Sequence, residues 1–513
     1  FSPFQGQEMS RALKRCSAVF PVLSLVLVGC GPTEYPTPLE EAEGPFLTPH
    51  AEMVSFLEGL QEETAAFTME RVGASVEGRD LLLLRFDHPA EDAPESDERL
   101  NVLILAKHHG NENSGMEASI TLARDIATGG FDAFRDQIDF YLIPQVNPDG
   151  SEARQRQNAD GMDLNRDHLP LFTPEVQAVH GVFQEVMPHV VLDVHEYGFA
   201  GRSWVEKGLW KNFGQQIDGL TNANMSMELR RFAVDRVIPE MRDALVAKDV
   251  RLNRYLVTDG PDARFRHSTA AINDGRNSTG IYNALTFLIE GRNGLTVEDN
   301  IRERSRQQLE TMKAFLDFFA QNAAEVKGMV EREQAILAGE QSPDQVALVM
   351  DYIKDPAQPT LEVSVLGAET GEESTLVIEE YYPTMEATLF VDRPMGYAIP
   401  PHLTEILEVL ERHGIPSSRL EGPSQADLET YRISSVEATQ KEDKDFLEVE
   451  VTKTRGPGEI PAGYVLVSTQ GLQSNLIVTL LEPQAQWGLA PLPAFSSLLE
   501  VGSEYPILRV MGM

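Results

Sequence analysis

The sequence predicts a mixed, largely parallel α/β sheet flanked by helices, followed by a smaller β-rich domain. Apolar runs such as LNVLILA (100–106), HVVLDV (189–194) and ALTFLI (284–289) alternate with helical patterns, which is typical of buried parallel strands joined by helices. Beyond about residue 345 the apolar runs become short and alternating, and turn residues separate them, as in antiparallel β structure. A chain of 513 residues is long enough for both units.

Each predicted element follows from its local pattern. Runs of aliphatic and aromatic residues predict strands at 79–86, 100–106, 138–146, 189–194 and 284–289. Apolar residues at helical spacing predict helices at 49–65, 114–128, 174–187, 226–248 and 297–338. In the β-rich part, alternating runs that include NLIVTLLEP (475–483) predict strands, and one helix is expected at about 402–414.

The first 46 residues predict export and anchoring. Basic residues followed by a short apolar stretch form the pattern of a signal peptide. The sequence LVGC (27–30) resembles the lipobox of bacterial lipoproteins, in which Cys30 would be lipidated. We therefore expect an extracytoplasmic chain anchored to a membrane surface by acyl groups. The predicted segments are a signal peptide with upstream residues at 1–29, a Pro- and Glu-rich tether at 30–46, the α/β domain at 47–340 and the β-rich accessory domain at 341–513.

Charge and cysteine content exclude two kinds of site. The chain has 43 Lys and Arg residues against 80 Asp and Glu residues, a net charge of −37, and such a surface repels the phosphates of nucleic acid. Its two cysteines, Cys16 and Cys30, both lie in the first 30 residues. The folded domains therefore contain neither a disulfide framework nor a cysteine metal site. Any zinc must be bound by histidine and carboxylate, and the sequence indicates no protein partner.

Histidine and glutamate side chains follow three of the predicted strands, at the point where each strand ends. His108, His109 and Glu112 follow the first of these strands, His195 the second and Glu290 the third. Ligands of open α/β sheets lie at the carboxyl ends of the strands. We therefore expect these side chains to converge at one edge of the sheet.

Two histidines and one glutamate form a ligand set that zinc commonly takes in hydrolases, with one position left for water. Glu112 comes three residues after His109, so a single turn can place both on one side. His195 supplies the third ligand. Spacing alone does not choose between His108 and His109. Glu290 is not needed as a ligand and is free to act as a general base.

Five motifs resemble those of the zinc metallocarboxypeptidase family, in the family's order. They are HGNE (109–112), NPDG (147–150), RQNADGMDLNR (156–166), LDVHEYG (192–198) and FLIEGR (287–292). The resemblance spans about residues 70–325 and implies a carboxypeptidase-like fold, one zinc ion per chain and the hydrolysis of C-terminal amino acids from peptides. The family pattern H-x-x-E…H implies that His109, Glu112 and His195 bind the zinc.

The same resemblance implies roles for five further residues. Glu290 corresponds to the catalytic base, and Arg156 to the residue that polarises the scissile carbonyl and stabilises the oxyanion. Asn165 and Arg166 correspond to the clamp on the substrate's terminal carboxylate, which suits the paired hydrogen bonds of a guanidinium group. Asp163 corresponds to the carboxylate that orients the first zinc histidine.

Tyr282 and Arg276, in the segment that precedes Glu290, have no predicted catalytic role. The family has an active-site tyrosine in this segment, but Tyr282 suits packing equally well and is not assigned. Arg276, in DGRNSTG, is a candidate to bind an acidic side chain or carboxylate of the substrate. The simpler interpretation of Arg276 is an exposed loop arginine, so the preference for the terminal residue stays open.

Two other functions fit parts of the pattern. Aspartoacylase and succinylglutamate desuccinylase also contain an HGNE sequence and deacylate N-acyl amino acids, whereas NPDG, the export signal and the extra domain favour a peptidase. A non-catalytic surface-binding lipoprotein that retains the scaffold is the second alternative. The presence of Glu290 and Arg156 argues against it, because a binding protein needs neither.

Overall fold

A computed structural model describes residues 35–86, 99–131, 136–441 and 444–512. The predicted signal peptide and Cys30 lie outside these residues. Residues Thr37–Met513 form one compact unit, and the predicted division at residue 340 stays a prediction. Within the described ranges, every helix is too short or too polar to cross a lipid bilayer.

The elements before residue 340 match the predicted alternation of strands and helices. The strands are β1 (Thr68–Ala74), β2 (Asp80–Phe86), β3 (Leu100–Ala106), β4 (Ile138–Ile143), β5 (Val190–Tyr197), β6 (Leu209–Lys211), β7 (Gln215–Asp218), β8 (Leu252–Arg254), β9 (Phe265–Arg266) and β10 (Leu285–Arg292). The helices are α1 (Pro38–Glu41), α2 (His50–Thr64), α3 (Ser114–Ala127), α4 (Pro148–Glu152), α5 (Pro174–Val186), α6 (Arg202–Val205), α7 (Met227–Phe232), α8 (Ile238–Val246), α9 (Gly275–Gly280), α10 (Ile301–Gln321) and α11 (Ala323–Ala338). The helix predicted at 297–338 is divided, because Asn322 leaves the helical conformation (φ −117°, ψ 17°).

An eight-stranded sheet forms the centre of this region, in the order β1-β2-β4-β3-β5-β10-β7-β8. Its four middle strands, β4, β3, β5 and β10, run parallel, and β4 and β5 are buried along their whole length. Helices α3, α9, α10 and α11 pack against these strands. The predicted fold class, a mixed and largely parallel sheet flanked by helices, is confirmed.

The C-terminal region is rich in β structure, as predicted. Its strands are β11 (Gln345–Ile353), β12 (Leu361–Gly367), β13 (Glu373–Ile378), β14 (Tyr381–Tyr382), β15 (Thr384–Asp392), β16 (Gly396–Ile399), β17 (Ser417–Arg419), β18 (Ser424–Lys441), β19 (Lys444–Ile460), β20 (Val465–Ser468) and β21 (Leu508–Gly512), and its helices are α12 (Thr404–Arg412) and α13 (Ser474–Leu481). The strand predicted from NLIVTLLEP is wrong, since these residues form α13. All eight residues of α13 are buried, so its sequence lacks the polar face that distinguishes a helix from a buried strand.

Two strand pairs join the C-terminal region to loops of the α/β region. Strand β12 pairs with β6, where Val365 is the partner of Lys211, and β14 pairs with β9, where Tyr382 is the partner of Arg266. Behind β9, Nε2 of His267 lies 2.5 Å from the hydroxyl of Tyr381. These pairings position Lys211 and Arg266, which line the cavity of the candidate site.

Candidate functional site

The ends of β3, β5 and β10 bring the predicted site residues together. His195 lies near the end of β5, and its neighbour in the parallel register is Glu290 of β10. His109 and Glu112 lie in the short loop that leaves β3 and leads into α3. The expected convergence of three strand ends at one edge of the sheet is therefore present.

The three predicted zinc ligands form one buried cluster. Oε1 of Glu112 lies 2.7 Å from Nδ1 of His109, and Oε2 lies 2.9 Å from Nδ1 of His195. The two Nδ1 atoms are 3.2 Å apart. Both imidazole rings thus direct the same nitrogen at the Glu112 carboxylate.

This donor set fits a zinc ion. Zinc binds histidine nitrogen and carboxylate oxygen at about 2.0–2.2 Å in a tetrahedron, which places the ligand atoms roughly 3.3 Å from one another. The spacing of the His109 and His195 nitrogens agrees with that geometry. Two neutral imidazole nitrogens that face each other are poorly satisfied unless a cation or a proton lies between them.

A second cluster shares His195 and lies deeper in the protein. Asp193 places one carboxylate oxygen 2.9 Å from Nδ1 of His108 and the other 3.0 Å from Nε2 of His195, and these groups are also close enough to hold a metal. Burial opposes the ionisation of Asp193, but its contacts with the two histidines hold its pKa well below the ordinary value. We interpret Asp193 as the carboxylate that orients His195, since ligand histidines commonly give their other nitrogen to a carboxylate.

Asp163 makes the corresponding contact with His109, the other histidine predicted to be a ligand. Its Oδ1 lies 3.1 Å from Nε2 of His109, and its Oδ2 accepts a hydrogen bond of 2.9 Å from Nε of Arg156. Burial alone would raise the pKa of Asp163, but His109 and Arg156 hold it below the ordinary value. Arg156 is thereby fixed beside the cluster, with its terminal nitrogen 3.6 Å from Glu112.

The NPDG motif supports the loop that carries His109. Its residues form the first turn of α4, in which the Asn147 side chain accepts a hydrogen bond from the Gly150 amide at 2.8 Å. The Asn147 amide group also donates to the carbonyl of His108 at 3.1 Å. A Cβ atom on Gly110 would lie 2.0 Å from the Gly150 carbonyl carbon. The two loops therefore pack backbone against backbone.

Asn165 and Arg166 lie beside the cluster in different environments. The Asn165 side chain contacts Nε2 of His195 at 3.1 Å and accepts a hydrogen bond from the Gly275 amide at 2.8 Å. Arg166 is exposed at the rim of the cavity. Asn165 thus ties the ligand cluster to the start of α9, and Arg166 is accessible to a substrate.

Glu290 combines proximity to the ligand cluster with a shifted acidity. Burial raises the pKa of Glu290 to about 7, and Glu112 contributes to the same shift. Tyr255, which no sequence motif indicated, lines the same cavity, and burial together with the Glu290 carboxylate raises the pKa of its phenol. A carboxylate whose pKa lies near neutral pH can both accept and return a proton.

A cavity of about 310 Å³ opens at this cluster, and two of the three predicted ligands, His109 and Glu112, line it. Its other charged lining residues are basic and acidic side chains from several elements: Arg156, Arg166, Lys211, Arg266 and Arg276, with Asp193, Glu196, Asp274 and Glu290. Lys211, Tyr255 and Arg266 had no motif that indicated them, because they come from short strands and irregular segments without a recognisable period.

The structure corrects the interpretation of Arg276 and places Tyr282 away from the cavity. Arg276 is not an exposed loop residue, since it lies in α9 with only 1% of its surface exposed and lines the cavity. Tyr282 is buried, and its ring packs on Phe183 with centroids 5.1 Å apart. The absence of a predicted catalytic role for Tyr282 agrees with its packing against Phe183.

Comparison with known proteins relates the chain to carboxypeptidases. Residues 53–189 match the profile of a family described as zinc carboxypeptidase. The chain is 26% identical over 438 residues to Carboxypeptidase 2 of Trichophyton rubrum, which covers 81% of this chain and 77% of that protein. It is 32% identical over 119 residues to Carboxypeptidase E of Caenorhabditis elegans, covering 20% of this chain and 25% of that protein. A metallo-carboxypeptidase structure from Burkholderia cenocepacia aligns with a TM-score of 0.41 at 19% identity, covering 52% of this chain and 68% of that one.

Proposed function

We propose that this chain, whose residues 53–189 match a zinc carboxypeptidase profile, hydrolyses the last peptide bond of peptides with His109, Glu112 and His195 as its zinc ligands. One observation carries the proposal. The three proposed ligand side chains converge within hydrogen-bond distance of one another, and two of them, His109 and Glu112, line the same cavity as Glu290 and Arg156. The family acts on peptides and uses zinc, and this cavity has the residues for both.

The proposed mechanism divides the work among residues of this chain. His109, Glu112 and His195 would hold a zinc ion, which would supply the Lewis acid that polarises the scissile carbonyl and acidifies water. Glu290 accepts a proton from the attacking water and returns it to the leaving amine, so that one water is consumed and one acid and one amine are formed. Arg156 holds the carbonyl oxygen as negative charge develops on it. Arg166, with Asn165 beside it, receives the substrate's terminal carboxylate.

Substitution of Glu290 tests this assignment. We expect Glu290→Gln to retain one zinc per chain and to lose at least about a hundredfold in kcat/KM, because the amide cannot accept the proton. Release of the terminal amino acid from N-acylated dipeptides measures the rate, and elemental analysis measures the metal. Glu58→Gln, at an exposed position of α2, is the matched control and should behave as the wild type. Undiminished turnover by Glu290→Gln would exclude Glu290 as the base.

We also propose that the chain is extracytoplasmic and held at a membrane surface by a lipid on Cys30. Support comes from the sequence alone, namely the basic and apolar leader followed by LVGC. We expect labelled fatty acid to be incorporated into the wild type during expression in bacteria, and Cys30→Ser to release the protein into the soluble fraction. An unlabelled wild type, or a Cys30→Ser variant that stays in the membrane fraction, would contradict the anchor.

A further inference from the structure

The cavity concentrates basic side chains although the chain as a whole carries a net charge of −37. Five arginines and lysines line it, whereas the proposed mechanism uses two of them, Arg156 and Arg166. Arg156 is already paired with Asp163, and one terminal carboxylate occupies Arg166. Lys211, Arg266 and Arg276 take no part in that mechanism.

Most acidic groups of the cavity are committed to other contacts. Glu112 contacts both ligand histidines, and Asp193 is enclosed between His195 and His108. Glu196 forms a buried ion pair with Arg304, with a shortest distance of 2.6 Å. These carboxylates therefore do not neutralise the basic groups at the other side of the cavity.

Arg276 is the most deeply buried of the unused basic groups. Its terminal nitrogens donate to the Ser268 hydroxyl and, at 3.0 Å, to the carbonyl of Thr269. The nearest carboxylate is Asp274 at 3.4 Å, whose other oxygen accepts the Asn277 amide at 2.6 Å. Nε of Arg276 is buried and has no acceptor among the described residues. A desolvated guanidinium with a donor unused gains most from a carboxylate.

The position of Arg276 relates it to the terminal residue of a substrate. The preceding residue, Gly275, donates its amide to Asn165, so the start of α9 is tied directly to the segment that carries Arg166. Arg166 and Arg276 line the same cavity. A residue whose terminal carboxylate is held at Arg166 therefore has its side chain in a cavity that Arg276 also lines.

We propose that the site prefers peptides whose last residue has an acidic side chain, and that Arg276 binds that side chain. The proposal rests on the carboxypeptidase function proposed above and names its substrate class. Arg276 acts here as a specificity-determining residue, through paired hydrogen bonds to the second carboxylate of the terminal glutamate or aspartate. A terminal glutamine has the same size but lacks the charge.

Lys211 provides a matched comparison within the same cavity. Its ammonium group lies 5.4 Å from the ring centroid of Tyr197 and 5.7 Å from that of Trp204, and it interacts electrostatically with Glu290 rather than with a carboxylate near α9. It lies where the cavity borders a second depression around residues 201–206, not at the Asn165–Gly275 contact. Loss of Lys211 removes one positive charge from the cavity without removing the fork at α9.

The test measures charge preference at fixed size, with the full-length zinc-loaded protein. N-acylated dipeptides that end in Glu or Gln, and in Asp or Asn, are compared by kcat/KM. We expect the wild type to favour Glu over Gln by about tenfold or more, since a guanidinium group binds a charged carboxylate more strongly than a neutral amide. Arg276→Met should bring the Glu/Gln ratio close to one, Arg276→Lys should retain part of it, and Lys211→Met should leave the ratio unchanged.

Each outcome decides the proposal. Equal rates for Glu and Gln, with release of other terminal residues, would overturn it and leave the carboxypeptidase function standing. Release from no peptide at all would refute the proposed function, and the preference with it. Loss of the ratio in Lys211→Met but not in Arg276→Met would refute the assignment to Arg276. If Arg276→Met does not fold, calorimetric binding of the same peptides to Glu290→Gln still decides whether the acidic terminus is preferred.

Discussion

His108 and His109 are adjacent in the sequence but face different partners. His109 directs Nδ1 at Glu112, next to the cavity. His108 contacts Asp193, and its Nε2 lies 3.1 Å from Nε2 of His168, in fully buried surroundings. His108 thus contacts the carboxylate that orients His195, whereas His109 is one of the zinc ligands we propose.

This difference predicts unequal metal losses in two neighbouring variants. His109→Ala removes a proposed ligand and should abolish zinc retention after dialysis against a buffered chelator. His108→Ala removes only a contact of the orienting Asp193, so we expect about a 10- to 100-fold weaker affinity. Elemental analysis at graded free zinc concentrations measures both variants. The opposite order, with zinc lost in His108→Ala and kept in His109→Ala, would move the site to the deeper cluster.

Site residues were predictable from the sequence where they belong to a local motif. They were not predictable where their burial depends on contacts with segments distant in the sequence. Glu112 and His109 are three residues apart, and Glu290 follows an apolar strand, so the sequence indicates them directly. Tyr255 lies in an irregular segment with no repeating pattern, and Arg276, named only as a candidate from the sequence, is buried in the short helix α9. Their position in the cavity depends on α9 and on the contacts of the segment between β8 and α9. The catalytic roles of all these residues stay predictions.

At the scale of elements, the site depends on how closely two loops approach. The loop after β3 meets the NPDG turn, and Gly110 donates its amide to the carbonyl of Arg156 at 3.3 Å. A Cβ atom at Gly110 would lie 2.3 Å from the Ser151 nitrogen, which is backbone and cannot rotate away. The glycine in HGNE is therefore required by packing, independently of any chemistry.

Gly110→Ala should consequently destabilise the protein and disturb the metal site together. We expect a loss of about 1–3 kcal/mol in the free energy of unfolding, or more, together with weaker zinc binding, because the loops must separate to admit the methyl group. Gly181→Ala is the matched control, since Gly181 is exposed within α5 and has no atom within 4 Å of an added Cβ. That variant should gain about 0.5–1 kcal/mol. Urea unfolding compares the two, and a harmless Gly110→Ala would refute the tight approach.

The elements themselves were predicted best where burial leaves a periodic pattern. The strands β3, β5 and β10 were expected from apolar runs, and their parallel neighbours place Glu290 beside His195. The failure at α13 has the opposite cause, because a helix buried on every side shows no period. The pairing of β6 with β12 was not predictable either, since β6 has only three residues and its partner lies about 150 residues away.

At the scale of the whole molecule, the C-terminal region packs against the α/β region and contributes residues to its hydrophobic core. One apolar cluster contains residues from both sides of the predicted boundary: Tyr197, Phe199, Trp204, Phe213, Leu256, Phe265, Val363, Val365, Ile378 and Tyr381. In addition, Nε2 of His413 contacts the carbonyl of Leu169 at 2.8 Å. The predicted domains at 47–340 and 341–513 therefore share a core, and the loops that carry Lys211 and Arg266 are held by strands of the second.

This shared core predicts that the α/β region is not stable alone. A chain that ends at Glu340 leaves the aromatic residues of the cluster exposed and removes the strand partners of β6 and β9. We expect it to aggregate or to bind a hydrophobic dye, and to lose peptide hydrolysis. The matched control is the complete chain with a protease site inserted in the exposed turn at 339–341. After cleavage its two halves should stay associated through the buried cluster and retain activity. A soluble and fully active 37–340 fragment would show that the second region is dispensable for the site.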